Sequence, residues 1–374
     1  MTKKRRGNGE GTIYKRKDGR YKARYTAHTA SGPKRRAIYG KTRAEVAEKL
    51  TKAMADRDKG VCFDASIITL GEYLRVWLED SVKDRVKLAT YEGYARMVRN
   101  HISPMLGGVK LKNLTPPHLR RLYKEKLDSG LGTRSVQYIH TTLHKALKQA
   151  VDDGLILRNV ADSVKPPQLK RTEMKPPSPK QAKALLEAAG GDRFEAMYVL
   201  AITAGLRQGE LLGLKWEDVD LEGGKLQVRR TLYKGNFTTP KTAKSRRTVK
   251  LTVRAVEALK RHREAQLEES VPLRGLWQDQ GLIFTTQVGT PVNRHNFYAR
   301  NFKPLLKKAG LLHTVRFHDL RHTCATLLLS KNVNPKVVSE MLGHANVTVT
   351  LDTYSHVLPH MQDGAVDAMD SSLS

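Results

Sequence analysis

The basic, proline-rich stretch from Lys165-Pro166-Pro167 to Lys175-Pro176-Pro177 constrains this chain more than any other feature. A proline has no backbone N–H and a fixed φ, and it pushes the residue before it out of the helical region. No regular helix can run through such a stretch, so it should be extended and act as a tether. At 374 residues the chain is too long for one ordinary domain, and the tether marks its main boundary.

On the N-terminal side, residues 1–60 carry 19 Lys or Arg against 6 Asp or Glu. Thr12-Ile13-Tyr14 and residues 21–25 and 36–39 read as three short strands, broken by the hairpin signal Asp18-Gly19 and by Ser31-Gly32-Pro33. Residues 42–59 then turn helical, with Ala44, Val46, Ala47, Leu50 and Met54 on one side. A narrow cationic sheet with one helix suits a small DNA reader, because such a sheet fits a major groove. The plainer alternative is a solvated basic appendage.

From residue 70 to about residue 164 the pattern is helical over 70–78, 89–101, 116–129 and 133–152, punctuated by Gly107-Gly108, Gly130-Leu131-Gly132 and Gly154. Thr115-Pro116-Pro117 reads as a capped helix start. Tyr91, Tyr94, Tyr123 and Tyr138, with Arg96, Arg99, Arg120, Arg121, Lys145 and Lys148, could as a group touch phosphates, although each alone is more simply a solvent-facing residue.

Composition narrows the partner. The formal net charge is +30 and the sequence pI about 10.1, a surplus most simply balanced in use by nucleic acid. Cys62 and Cys324 are too few and too scattered for a disulfide framework or a zinc site, which fits a reducing cytoplasm. The first residues, MTKKRRGNGEG, lack the apolar core of a signal peptide, and no apolar run reaches the ~18 residues of a membrane span.

The chemistry concentrates near the C-terminal end, in VRFHDLRHTCATLLLSKNVNPKVVSEMLGHANVTVTLDTYSHV. His318 and Arg321 lie three apart and share a helix face. Asn334-Pro335 opens a second helix, and Leu342-Gly343-His344 ends it on a glycine stop. Tyr354 follows ten residues after His344, past a Val/Thr run that reads as strand or turn. A tyrosine hydroxyl, with a pKa near 10, is a poor nucleophile unless cations stabilise the charge developing on a phosphate. Arginine does this with a planar, permanently charged fork, and histidine can donate to the same oxygens or move a proton. No dense carboxylate cluster accompanies these residues, which makes metal-assisted phosphoryl transfer the lesser alternative. A further arginine, Arg207, sits in Ala204-Gly205-Leu206-Arg207-Gln208-Gly209-Glu210 between apolar, helix-like flanks; on its own it reads more simply as a paired structural arginine than as an active-site one. Lys241, in the turn between two strand-like segments at 226–231 and 247–251, reads on its own as an ordinary surface cation.

Taken together, T-x-G-L-R-x-x-E-L-x-x-L-x-W, then P-K-T and S-x-R, then H-D-L-R-H, then L-G-H and a tyrosine ten residues on resemble the tyrosine recombinase family, and within it the phage and integrative-element integrases. The blocks span about half the chain in the family's order. The resemblance implies that Arg207, Lys241, His318, Arg321 and His344 surround the scissile phosphate. In that scheme Tyr354 is the nucleophile, Lys241 protonates the leaving 5′ oxygen and Glu210 supports Arg207. It implies a multidomain, mainly α chain: an arm-type DNA-binding domain of three strands and a helix over 1–60, a helical core-binding domain over 68–165, a linker over 166–177, and a mixed α/β catalytic domain over 178–374. It implies a cytoplasmic, nucleoid-associated enzyme of a bacterial host that needs no cofactor, neither ATP nor metal. Its partners would be double-stranded DNA attachment sites, three further copies in a homotetramer, a host DNA-bending protein and an excisionase or other directionality factor. The tail from residue 355 to 374 would pack on a neighbouring copy. Two other classes remain at this point, a type IB topoisomerase and a non-catalytic architectural DNA-binding protein; the separate basic N-terminal module speaks against the first, the arginine–tyrosine set against the second.

Overall fold

The computed structural model describes residues 12–29, 32–58, 68–169, 176–238, 246–273, 275–312, 315–354, 366 and 369–373. Lys241, Cys62 and residues 355–365 of the tail therefore lie outside the described residues. The chain divides into two compact units, Met1–Thr172 and Glu173–Ser374.

The first unit begins with β1 (Thr12–Lys15), β2 (Tyr21–Thr29) and β3 (Gly32–Gly40), an antiparallel sheet in that order, followed by α1 (Arg43–Asp58). Strand alternation separates the two faces. Ile13, Ala23 and Ile38 are cross-strand neighbours and turn inward, where Ala23 and Tyr25 meet Val46 and Leu50 of α1. The next row, Tyr14, Lys22 and Tyr39, faces the other way, with the Lys22 ammonium 5.2 Å from the Tyr39 ring centroid.

A helical bundle completes this unit. Its members are α2 (Leu70–Val76), α3 (Leu88–Met97), α4 (Ser103–Leu106), α5 (Pro116–Asp128) and α6 (Thr133–Asp152). Thr69 and Glu72 form a reciprocal cap on α2, and Thr115 caps α5 ahead of two prolines. Both α2 and α3 run on through a wider π turn, Trp77–Val82 and Val98–Ile102 respectively. Val136, Ile139, Leu143, Ala146, Leu147 and Ala150 bury one face of α6 at helical spacing, and Leu74, Ile102, Leu119 and Leu122 close the core around them.

In the second unit, Ser178 and Gln181 cap α7 (Pro179–Ala188) reciprocally. Next come α8 (Glu195–Thr203), buried on nearly every side, and the short α9 (Gln208–Leu212). The strands are β4 (Val219–Asp220), β5 (Lys225–Val228), β6 (Thr231–Tyr233), β7 (Asn236–Thr238) and β8 (Arg247–Lys250). They form an antiparallel sheet ordered β4-β5-β8 and a separate hairpin of β6 with β7. Residues 236–238, taken from the sequence as loop, are thus paired. Lys234 and Gly235 both adopt positive φ at the turn, the backbone that a two-residue hairpin needs to match strand twist.

The helices α10 (Val253–Ser270), α11 (Arg294–Phe297), α12 (Lys303–Lys308), α13 (Phe317–Leu329), α14 (Pro335–Leu342) and α15 (Val347–Tyr354) follow in that order. The Val/Thr run before Tyr354 is therefore helical, against the strand or turn its β-branched residues suggest. Asn346 opens α15, accepting from the Thr348 N–H at 3.2 Å, and Thr350 and Tyr354, four apart, bury one face. Packing there outweighs intrinsic propensity. Tyr354 seats among Ala325 and Leu329 of α13 and Val338 and Leu342 of α14.

Candidate active site

Two helix stops build the site. The chain turns at Gly205, between α8 and α9, with φ +61°, and at Gly343, at the end of α14, with φ +67°. These left-handed values suit glycine, and a Cβ at Gly205 would also run into Leu342 and the Cys324 sulfur. Each stop exposes carbonyls that have no partner within their own helix.

Arg321, on α13 and only 2% exposed, occupies the space between the two stops. Its Nη1 donates to the Gly205 carbonyl and its Nη2 to the Leu342 carbonyl, each at 2.7 Å. Burial, and then the nearby Arg207 charge, pull its pKa down to about 9, which still leaves it protonated at neutral pH. Arg207 precedes α9 and donates from Nη2 to the Gly343 carbonyl at 3.1 Å and from Nη1 to Glu210 Oε1 at 2.7 Å. Both guanidiniums are thereby held against the same pair of turns.

Glu210, 2% exposed, binds a second arginine as well. Arg247 at the start of β8 donates to Glu210 Oε2 at 3.1 Å and to the Met341 carbonyl. Burial alone would raise the Glu210 pKa, but the Arg247 and Arg207 charges and hydrogen bonds outweigh it, and the net shift is downward. The carboxylate is ionised and ties α9, β8 and the end of α14 together.

Three histidines and the tyrosine complete the set. His344 follows the Gly343 stop, its Nδ1 lying 2.7 Å from the buried Thr350 hydroxyl; burial and the charges of Arg321 and Arg207 hold its pKa down to about 4. His318, at the start of α13, keeps an exposed edge while its ring packs edge-on against His322, centroids 4.7 Å apart. That partial burial, with Arg321 and Arg207, lowers its pKa too. Tyr354, 2% exposed, ends α15 with its Oη 2.6 Å from His322 Nδ1. Burial raises its pKa, Arg321 opposing.

Of the six residues singled out in the sequence, five converge: Arg207, His318, Arg321, His344 and Tyr354. Lys241 lies outside the described residues. Two others sit among them: Arg247, and His322, which the sequence left as a structural histidine with no matched role. Arg247 stands in the S-x-R block, which marked it without a role. His322 lies four residues after His318, a spacing that places both on one helix face.

Residues 178–361 match the phage integrase family, and residues 69–127 match the N-terminal SAM-like domain of phage integrases. A XerC-like tyrosine recombinase of Caldanaerobacter subterraneus subsp. tengcongensis is 32% identical over 359 residues, covering 90% of this chain and 91% of the relative. An integrase of Streptomyces ambofaciens is 32% identical over 386 residues, covering 97% and 96%. Among solved structures, the fold is similar to the Tn1549 transposon integrase in complex with transposon right-end DNA, with TM-score 0.67, 23% identity and coverage of 82% and 100%. It is also similar to a λ integrase tetramer bound to a Holliday junction, with TM-score 0.57, 21% identity and coverage of 90% and 96%. Fold and sequence similarity together define the class: this is a tyrosine-type site-specific DNA recombinase, an enzyme that breaks and rejoins DNA. The chain belongs to the phage integrase family.

Proposed function

We propose that Tyr354 is the nucleophile and that Arg207, Arg321, His318 and His344 bind the scissile phosphate, with Lys241 protonating the leaving 5′ oxygen. The observation that carries this reading is the double clamp of Arg321 on the Gly205 and Leu342 carbonyls. It anchors one cation and brings Arg207, His344 and Tyr354 to the same two helix stops. Guanidiniums fixed in advance stabilise the charge growing on the non-bridging oxygens without reorganising during the reaction.

In the first step the Tyr354 oxygen forms a bond to phosphorus, the bond to the 5′ oxygen breaks, and that oxygen takes a proton. The resulting 3′-phosphotyrosine conserves the phosphodiester's energy, so a 5′ hydroxyl of the partner duplex can attack it and return the tyrosine without ATP. Four protomers on two duplexes would exchange the strands in turn through a Holliday junction, integrating or excising a phage or other mobile element.

The rest of the chain supports a division of labour. We read residues 1–60 as an arm-type DNA-binding domain, on the strength of the sheet row Tyr14, Lys22 and Tyr39, where Lys22 and Arg16 both pack on the Tyr39 ring. Residues 68–165 serve as a core-binding domain, 166–177 as linker and 178–374 as the catalytic domain. The setting is the cytoplasm and nucleoid of a bacterial host, with a DNA-bending protein and a directionality factor as accessory partners; family resemblance is what supports these last assignments.

The test is a nicked suicide substrate carrying the element's own attachment site, resolved on a denaturing gel. Wild type should leave a covalent protein–DNA band, and Tyr354→Phe should bind the same DNA without forming it. A band from the Phe variant would remove Tyr354 from the role.

A further inference from the structure

The mechanism above leaves the tyrosine proton without a destination. Among the described residues the Tyr354 oxygen has the Nδ1 of His322 as a hydrogen-bond partner, at 2.6 Å, a short and therefore strong contact. We propose that His322 is a further catalytic residue, accepting the Tyr354 proton at Nδ1 as the phenol attacks phosphorus and returning it when the phosphotyrosine is resealed. The proposal depends on Tyr354 being the nucleophile.

The balance closes with the roles already proposed. In cleavage the Tyr354 O–H bond breaks, its electron pair forms the bond to phosphorus, and the proton passes to His322. The P–O5′ bond breaks and the 5′ oxygen takes a separate proton from the Lys241 ammonium. Rejoining reverses each transfer, so neither histidine nor lysine is consumed.

Three features of the surroundings favour this direction. First, Nδ1 must carry a lone pair: the ring is neutral at rest, and in its Nε2–H tautomer that lone pair lies on Nδ1, facing the Tyr354 hydroxyl, as a weak base until phosphate charge arrives. Burial, then His318, together with Arg321 and Arg316, hold its pKa down to about 4, Asp319 alone opposing. Those groups lie on or just before α13; Tyr354 faces the ring from α15, and His344 from the turn after α14 is close enough to feel its charge. Second, the ring is held in place. His318 packs edge-on against one side, and Tyr354 itself is seated among Ala325, Leu329, Val338 and Leu342. Third, a scissile phosphate bound by His318 and Arg321 would bring negative charge beside the ring. That charge favours the imidazolium at the moment the proton arrives.

The alternative is a resting contact that merely parks a buried tyrosine. Single-turnover cleavage of the suicide substrate, with binding measured separately, distinguishes the two. His322→Gln should bind DNA as wild type does but cleave ~100-fold or more slowly at neutral pH, the scale of a lost general base. Its rate should climb with pH where the wild-type rate is flat, because the phenol must then ionise unaided. His322→Asn offers an acceptor near the Nδ1 position that cannot take a proton, and it should be as slow as the Gln variant. Recovery of wild-type cleavage by His322→Asn would reduce the contact to positioning, and unchanged or faster cleavage in both variants would make it a parking contact; either overturns the proposal. A Tyr354→Phe control run alongside tells a failure of the nucleophile assignment from a failure of this one, since only the former leaves a covalent band in the Phe variant.

Discussion

Glu210 is the residue on which most of the site's charge turns. One buried carboxylate receives Arg207 and Arg247, and the Arg247 side chain is itself only 6% exposed. Glu210→Gln removes the one carboxylate that Arg207 and the buried Arg247 share, for which about 3 kcal/mol of stability should be lost. The effect should follow pH. Because its pKa in the folded chain lies below the ordinary 4.5, the Glu210 contribution is complete above that value and fades as pH falls through the lowered one. Thermal melts should therefore show a gap between wild type and Glu210→Gln at pH 7 that narrows in acid; a gap independent of pH would mean that the ion pairs are not its source. The sequence already made Arg207, Arg321, His318, His344 and Tyr354 legible, since their spacing matched a known pattern. It left Arg247 and His322 without roles because each acts through a neighbour far along the chain, Glu210 at 37 positions and Tyr354 at 32.

Element by element, the ends of the helices were easier to read than their company. Asn334-Pro335 and Ser178-Pro179-Lys180-Gln181 are local signals, and both became helix starts with the expected caps. Gly343 likewise became a left-handed stop, and its importance can be tested. Gly343→Ala must hold φ near +67° with a Cβ only 3.0 Å from the Arg247 Nη1. A loss of about 1–2 kcal/mol follows from the backbone alone. Gly343→Asn should cost less, since asparagine enters this conformation more readily. In both variants cleavage should fall further than stability predicts, because the Gly343 carbonyl positions Arg207; melts and single-turnover rates on the same preparations check this. The helix α15 was the element least legible in advance. Val347, Thr348, Val349 and Thr350 favour a strand in isolation, and only the apolar slot between α13 and α14 makes a helix ending in a buried Tyr354 the better solution.

For the whole molecule, charge and division matter most. A net charge of +30 spread over the small sheet, the helical bundle and the second unit should release many counterions on DNA, so affinity should fall steeply with salt. A fragment of residues 176–374 has its own core, built from α7 to α13, and should unfold cooperatively by itself. Its salt slope should be shallower than that of the full chain, as measured by binding titrations between 50 and 200 mM salt, the range over which ~10³–10⁵ in affinity can be lost. Equal slopes would mean that the N-terminal basic residues stay off the DNA. By itself the sequence determined the division of the chain near the proline-rich stretch, most of the helical and strand-bearing segments, and the residue types a phosphodiester requires, because periodicity, proline and motif spacing are local properties. Only the tertiary structure decided that α15 is a helix, that Arg247 shares Glu210 with Arg207, and that Tyr354 meets His322. Those outcomes depend on burial and on carbonyls left free at distant turns, which residues separated by tens of positions discover only when the chain packs.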